Sequence, residues 1–308
     1  MKNLKIGMIG LDTSHAITFT RLLNDPAMKH HVRGGRVEVA YPGGSPDFTL
    51  SMTRVEIYTE ELQAAYDMKI VTSVEEVAEQ SDAILLESVD GRIHFEQLRK
   101  LAPYGKPVFV DKPFCLSTNE ALEMVQIAES FNMPIMSTSA LRFSGNLQEA
   151  LATDDKGDIV GADCFGPIEF QEKQPGYFWY GIHCVEMLYT ILGKGVSSVE
   201  SIANTHHDLL VGKWKDGRIG TVRGNRKGNY QFGAAIHFEK GTTAVDASNN
   251  DKPFYASLLE EVIGFFHDGM SRVPLGETVE IIRFVEAANE SRLKNIGVLL
   301  EDQELKFH

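Results

Sequence analysis

Short apolar runs alternate with amphipathic stretches between residues 4 and 137. Leu4–Ile9 (LKIGMI) reads as a strand that stops at Gly10, and Ser14–Asn24 carries Ile17, Leu22 and Leu23 at helical spacing. Residues 37–41 (VEVAY) form a second strand pattern, 50–65 contain a helical stretch and 69–72 a short strand. Ser73, followed by Glu76 at the third helical position, marks a helix start. Ala83–Leu86 (AILL) is wholly apolar, as a strand covered on both faces of a parallel sheet must be. A helix over 94–102, a strand over 107–110, a helix over 117–131 and a strand over 134–137 complete the series. Strands alternating with helices in this way predict a doubly wound parallel sheet.

The pattern then changes. Residues 179–192 read as a helix closed by Gly193. Strand-like runs follow one another at 199–204, 208–214, 219–224, 232–238 and 242–246, with corners at Asp216-Gly217 and Lys240-Gly241. Helical stretches close the series at 254–267 and 278–289. Consecutive strands predict an α+β domain whose open, mostly antiparallel sheet is covered by helices on one face. The boundary is expected near Phe143-Ser144-Gly145, giving domains at 1–143 and 144–308.

Composition narrows the classes. A chain of 308 residues favours two cores over one, and 43% hydrophobic with 24% charged residues is ordinary for a globular protein. A net charge of −13 argues against a nucleic-acid partner. No apolar run approaches the roughly 18 residues that span a bilayer, so no membrane partner is expected. The start runs directly into a strand without a signal-like apolar core, which makes the expected location cytoplasmic. Cys115, Cys164 and Cys184 suit a reducing compartment and lack metal spacing, as do the pairs His30-His31 and His206-His207. No metal site is expected.

Candidate chemistry lies at the strand ends. The turn Gly10-Leu11-Asp12-Thr13-Ser14-His15 occupies the place of a Gly-x-Gly-x-x-Gly dinucleotide (Rossmann) fingerprint, with Asp12 and His15 where the second and third glycines would stand. It reads either as a capped helix start or as an N-terminus that receives a phosphate, with Thr13 and Ser14 supplying hydroxyls. The second strand ends at Tyr41 without an acid for a ribose, and the fourth runs into Glu87-Ser88-Val89-Asp90, with His94 opening the next helix. Gly10, Leu11, Asp12, Thr13, Ser14, Tyr41, Ser88, Val89, His94, Asp111 and Lys112 are the expected nucleotide contacts. The fifth strand ends in Asp111-Lys112-Pro113, where the proline keeps Lys112 extended and aims it off the strand tip. In the second half, His183 and Glu186 share a helix face behind the aromatic cluster Tyr177, Trp179 and Tyr180. These residues suit a base, its partner and an apolar wall.

Taken in order, the Gly10 turn, Asp90…His94, Gly105-Lys106-Pro107-Val108-Phe109-Val110-Asp111-Lys112-Pro113, Arg142-Phe143, Gly181-Ile182-His183 and Glu286-Ala287-Ala288…Glu290-Ser291 resemble the Gfo/Idh/MocA family. The resemblance runs over nearly the whole chain. The family's mark is a Gly-Lys-x-Val…Glu-Lys-Pro strand, and here Asp111 replaces the glutamate. The resemblance implies NAD- or NADP-dependent hydride transfer at a hydroxyl carbon of a sugar, cyclitol or related polyol. It implies a homodimer or homotetramer built through the second-domain sheet. By position, Lys112 would polarise the reacting oxygen and His183 would take the proton, with Glu186 as a second acid. Lys112, Tyr177, Trp179, Tyr180 and His183 would meet the substrate. Family members often carry an aspartate four residues before that histidine, where this chain has Trp179. Two rival readings follow from these departures: a binding or regulatory protein with weakened cofactor binding, and a cofactor-assisted lyase or glycoside-acting enzyme.

Overall fold

A computed structural model describes residues 3–153 and 155–300. The chain divides into two compact units. The first gathers the chain up to Cys115, Asn119–Thr138 and Tyr255–Leu275; the second gathers Leu116–Thr118, Ser139–Phe254 and the described chain from Gly276. A single boundary after residue 143 therefore describes the chain only in part. Residues 255–275 return to the first unit, because their apolar side chains pack there.

The first unit holds six strands, β1 (Leu4–Ile9), β2 (Gly35–Tyr41), β3 (Lys69–Ile70), β4 (Ala83–Leu86), β5 (Val108–Val110) and β6 (Ile135–Ser137). All neighbours pair in parallel, in the order β3-β2-β1-β4-β5-β6. The helices are α1 (Ser14–Asn24), α2 (Thr49–Met52), α3 (Val55–Tyr66), α4 (Val74–Gln80), α5 (His94–Leu101) and α6 (Thr118–Ser130). The expected doubly wound sheet is present, and every side chain of β4 is buried, as its unbroken apolar run requires. Ser73 caps α4 by accepting from the N–H of Glu76 at 3.2 Å. The strand order reverses between β1 and β4, and ligands of open α/β sheets lie beyond the strand ends at such a switch.

The second unit contains α7 (Gly145–Leu151), β7 (Ile159–Pro167), α8 (Gly181–Leu192), β8 (Val196–Ala203), β9 (His207–Trp214), β10 (Ile219–Asn225), β11 (Gly233–Phe238) and β12 (Gly241–Asp246). Between β12 and the end run α9 (Phe254–Asp268), which belongs to the first unit from Tyr255 onward, α10 (Leu275–Lys294) and β13 (Val298–Leu299). The sheet order is β12-β11-β7-β10-β9-β8-β13, antiparallel except where β7 runs alongside β10. Burial alternates along β9 and β10, so one face is covered and one open. Gly212 and Gly220 let the covered face take large side chains: a Cβ on Gly220 would stand 2.7 Å from Leu192, and one on Gly212 2.8 Å from Phe284.

Candidate active site

Five of the expected nucleotide contacts form the turn after β1. Gly10 has φ +89°, and a Cβ there would lie 2.4 Å from the backbone of Ser88, so only glycine fits between the ends of β1 and β4. The N–H groups of Gly10 and Leu11 donate to the carbonyls of Tyr41 and Pro42, which fastens this turn to the one after β2. Asp12 is wholly buried and turned inward. Its carboxylate accepts from the Ser51 hydroxyl at 2.5 Å and from the Val89 N–H at 3.0 Å. Burial pushes its pKa up against those two bonds. The carboxylate is thus withdrawn from the helix start. Thr13 caps α1 by accepting from the N–H of His15 at 3.4 Å, Ser14 is exposed, and no acid lies in the first helical turn.

After β4, Ser88 and Val89 are buried, and the Ser88 hydroxyl has no hydrogen-bond partner. Both ring nitrogens of buried His94 face backbone carbonyls, Pro113 at 2.9 Å and Ser88 at 2.7 Å. This side chain ties the β4 end to the turn after β5. Arg92 bridges the loops after β2 and β4, with Asp47 at 2.8 and 2.9 Å and Asp90 at 2.6 Å.

At the end of β5 the Asp111 side chain accepts from His15 Nδ1 at 2.8 Å, and His15 Nε2 meets the Tyr255 hydroxyl at 3.0 Å. Burial opposes ionisation of Asp111, but His15 outweighs it and holds the carboxyl at about 2. Glu87 is wholly buried beside this pair, 3.9 Å from His15 Nδ1, and neither of its oxygens has a hydrogen-bond partner. Burial first, and Asp111 second, push its carboxyl well up from the usual range while Lys112 pulls the other way. Lys112 follows at the strand tip, half-buried, joined to Pro113 by a cis peptide. Within the family block upstream, Lys106 donates to the carbonyls of Ala78 and Ser81 at the end of α4, so this lysine serves the fold.

The second unit carries the other expected residues. His183 lies in the first turn of α8, with Nδ1 2.7 Å from the Ser139 hydroxyl and its ring edge-on to Tyr180 and Phe232. Ser139 and Phe232 escaped the sequence reading; Ser139 had only its cap-like position before Ala140 as a signal. Glu186 shares a helix with His183, but its carboxylate takes the Arg142 guanidinium at 2.6 Å. Arg142 also donates to Glu277 at 2.5 Å, and all three groups are buried. Burial pushes Glu277 up despite Arg142. Glu186, expected beside His183, takes part in an ion triad, as a buried carboxylate draws on a nearby cation. Tyr177 is enclosed completely: its hydroxyl meets Ser201 at 2.9 Å, and burial raises it to about 12. It is a core residue and not a pocket wall. Trp179 is nearly buried, with its ring 6.1 Å from that of Tyr180.

Residues 49–138 match the model of the Gfo/Idh/MocA oxidoreductase family, described as having an NAD-binding Rossmann fold. An uncharacterised oxidoreductase of Streptococcus pneumoniae is 26% identical over 129 residues, 40% of this chain. The match spans about a third of that relative, 34% of its length. Among solved structures, myo-inositol 2-dehydrogenase of Lactobacillus plantarum is 15% identical with a TM-score of 0.78, covering 97% of this chain and 100% of that one. Scyllo-inositol dehydrogenase of Lactobacillus casei, solved with NAD(H) and scyllo-inositol, is 13% identical with a TM-score of 0.78 over 97% and 99% of the two chains. The Gfo/Idh/MocA resemblance read from the residues is matched over segment 49–138 by that family's model, and along nearly the whole chain the fold is similar to that of these two dehydrogenases.

Proposed function

We propose that the protein is an NAD-dependent oxidoreductase acting on a hydroxyl carbon of a cyclitol, sugar or related polyol. The observation that carries this reading is the withdrawal of Asp12. A carboxylate at the second fingerprint position would repel a diphosphate, and here it is buried on Ser51 and Val89 instead. The start of α1 is left without an acid, and the unpartnered Ser88 hydroxyl stands at the switch point. The residues present fit a dinucleotide. When bound, the nicotinamide accepts or supplies the hydride. Arg92 is already saturated by Asp47 and Asp90, so a 2′-phosphate beside it would meet those acids rather than a spare guanidinium. This favours NAD over NADP.

Lys112 is proposed to donate a hydrogen bond to the reacting oxygen and stabilise the alkoxide as it forms. His183 moves the proton. In the tautomer whose Nδ1–H donates to Ser139, the Nε2 lone pair is the basic one. Trp179 and Tyr180 offer ring faces to the C–H surface of a polyol. The open face of the second sheet, where Ile202 and Ile219 are at least half exposed, is the proposed contact between copies in a dimer or tetramer. No described helix is long and apolar enough to cross a membrane.

A titration of the purified protein with NADH and NADPH, followed by fluorescence, tests the reading. Binding of NADH well below millimolar is expected, and no binding of either nucleotide overturns it. Lys112→Ala should then lower turnover about 10²- to 10³-fold with NADH affinity within a few-fold. A second reading, a binding or regulatory protein, draws on the commitment of Glu186 to Arg142 and on Trp179 in place of an acid. It predicts no turnover with any polyol even where NADH binds.

A further inference from the structure

We infer that His15, Glu87 and Asp111 form a binding site for one divalent transition-metal ion within the first unit. One ligand atom from each can be chosen so that all lie within 4.8 Å of one another. His15 Nδ1 stands 2.8 Å from Asp111 and 3.9 Å from Glu87. Ligands that share a cation at about 2.1 Å are roughly 3–4 Å apart, so small side-chain adjustments close the set. Glu87 and Asp111 directly follow β4 and β5, and His15 lies in the first turn of α1, which follows β1; adjacent parallel pairing holds these three strand ends side by side.

A second observation points to an occupant. Both Glu87 oxygens are enclosed without a hydrogen bond, and an isolated buried carboxylate is among the costliest groups a protein can hold. The Glu87 carboxylate faces a second carboxylate, so the demand is for positive charge. The other ring nitrogen of His15 is also prepared. With a cation on Nδ1, the Nε2–H donates to the Tyr255 hydroxyl 3.0 Å away, the kind of outer contact that fixes a metal-bound imidazole. Phe19 stacks on the ring at 5.2 Å and holds its plane. One nitrogen and two carboxylate oxygens suit manganese, iron(II), cobalt or zinc, whereas magnesium and calcium prefer all-oxygen sets. This inference is independent of the proposed activity, since the triad binds its ion whether or not a polyol is turned over.

The test uses the full chain, stripped with a chelator and titrated with Co²⁺ and Mn²⁺ at neutral pH. Cobalt absorption and manganese paramagnetic resonance are the readouts. One equivalent is expected to bind, with a visible cobalt band and a rise in melting temperature. Glu87→Gln, nearly the same shape, should weaken binding at least tenfold, and His15→Gln should do the same. Tyr255→Phe leaves every ligand in place and guards against a misfolded variant; it should weaken binding by roughly tenfold through the lost outer contact. Absence of binding to the wild type overturns the inference, and so does binding that Glu87→Gln and Tyr255→Phe leave unchanged, which assigns the ion to surface histidines.

Discussion

Each unit buries a cluster of three or more charged or titratable side chains, and the two clusters are settled differently. In the second unit Arg142 answers both Glu186 and Glu277 with bonds of 2.6 and 2.5 Å. In the first, His15 answers Asp111 while Glu87 is left without a hydrogen bond. A closed set of charges has nothing to offer a ligand and serves the fold. A set one cation short sits at the strand ends where ligands of this fold belong. The contrast separates an answered set of charges from an unanswered one more sharply than burial does, because both clusters are hidden.

The comparison breaks most visibly at Arg142. Arg142→Met should strand two buried carboxylates and cost about 3–5 kcal/mol in urea denaturation. A loss under 1 kcal/mol would show that the triad contributes little. Gly10→Ala should cost about 1–3 kcal/mol from its positive φ and the Ser88 backbone, and should weaken NADH binding as the turn is displaced. The paired glutamines sharpen the contrast itself. Glu186→Gln should cost about 1–3 kcal/mol by weakening a charged hydrogen bond, whereas Glu87→Gln in metal-free protein should stay within about 1 kcal/mol or gain. Equal losses would erase the distinction.

The smallest expected effect concerns Asp12. Its folded pKa lies above its unfolded value near 3.8, with burial as the main cause. The folded state therefore holds the proton longer, and the stability due to this group is present at low pH. That stability is lost as pH rises from about 4 through the raised value. Asp12→Asn should flatten the stability–pH curve over that window and tighten NADH binding slightly. A curve that keeps its slope would assign the effect to another carboxylate.

Much of this was legible in the chain. Five of the seven strands of the second sheet follow from alternation, and the turn dipeptides fall where hairpins close. β7 was missed because Gly161, Gly166 and Pro167 disguise it as a loop. The structure shows why a glycine stands there: a Cβ on Gly166 would lie 2.5 Å from Phe232 and 2.8 Å from Cys184. The position of Lys112 just past β5 was legible from its strand and proline. The His15–Glu87–Asp111 triad was not, since its members are neighbours only through sheet pairing and carry no local spacing. The Arg142 partner of Glu186 and the Ser201 partner of Tyr177 were not legible, because sequence shows which helix face or segment a residue shares but not which partner it reaches.

The return of α9 to the first unit has a consequence for synthesis. Tyr255, which meets His15, and Ile263, which packs on the Gly34–Gly35 corner, are made long after the six strands they complete. As the chain leaves the ribosome its first unit waits, with an apolar helix seat uncovered, for more than a hundred further residues, from Ser139 to Phe254. A fragment ending at residue 143 should accordingly be insoluble or chaperone-bound, and adding residues 254–275 as a separate peptide should restore it.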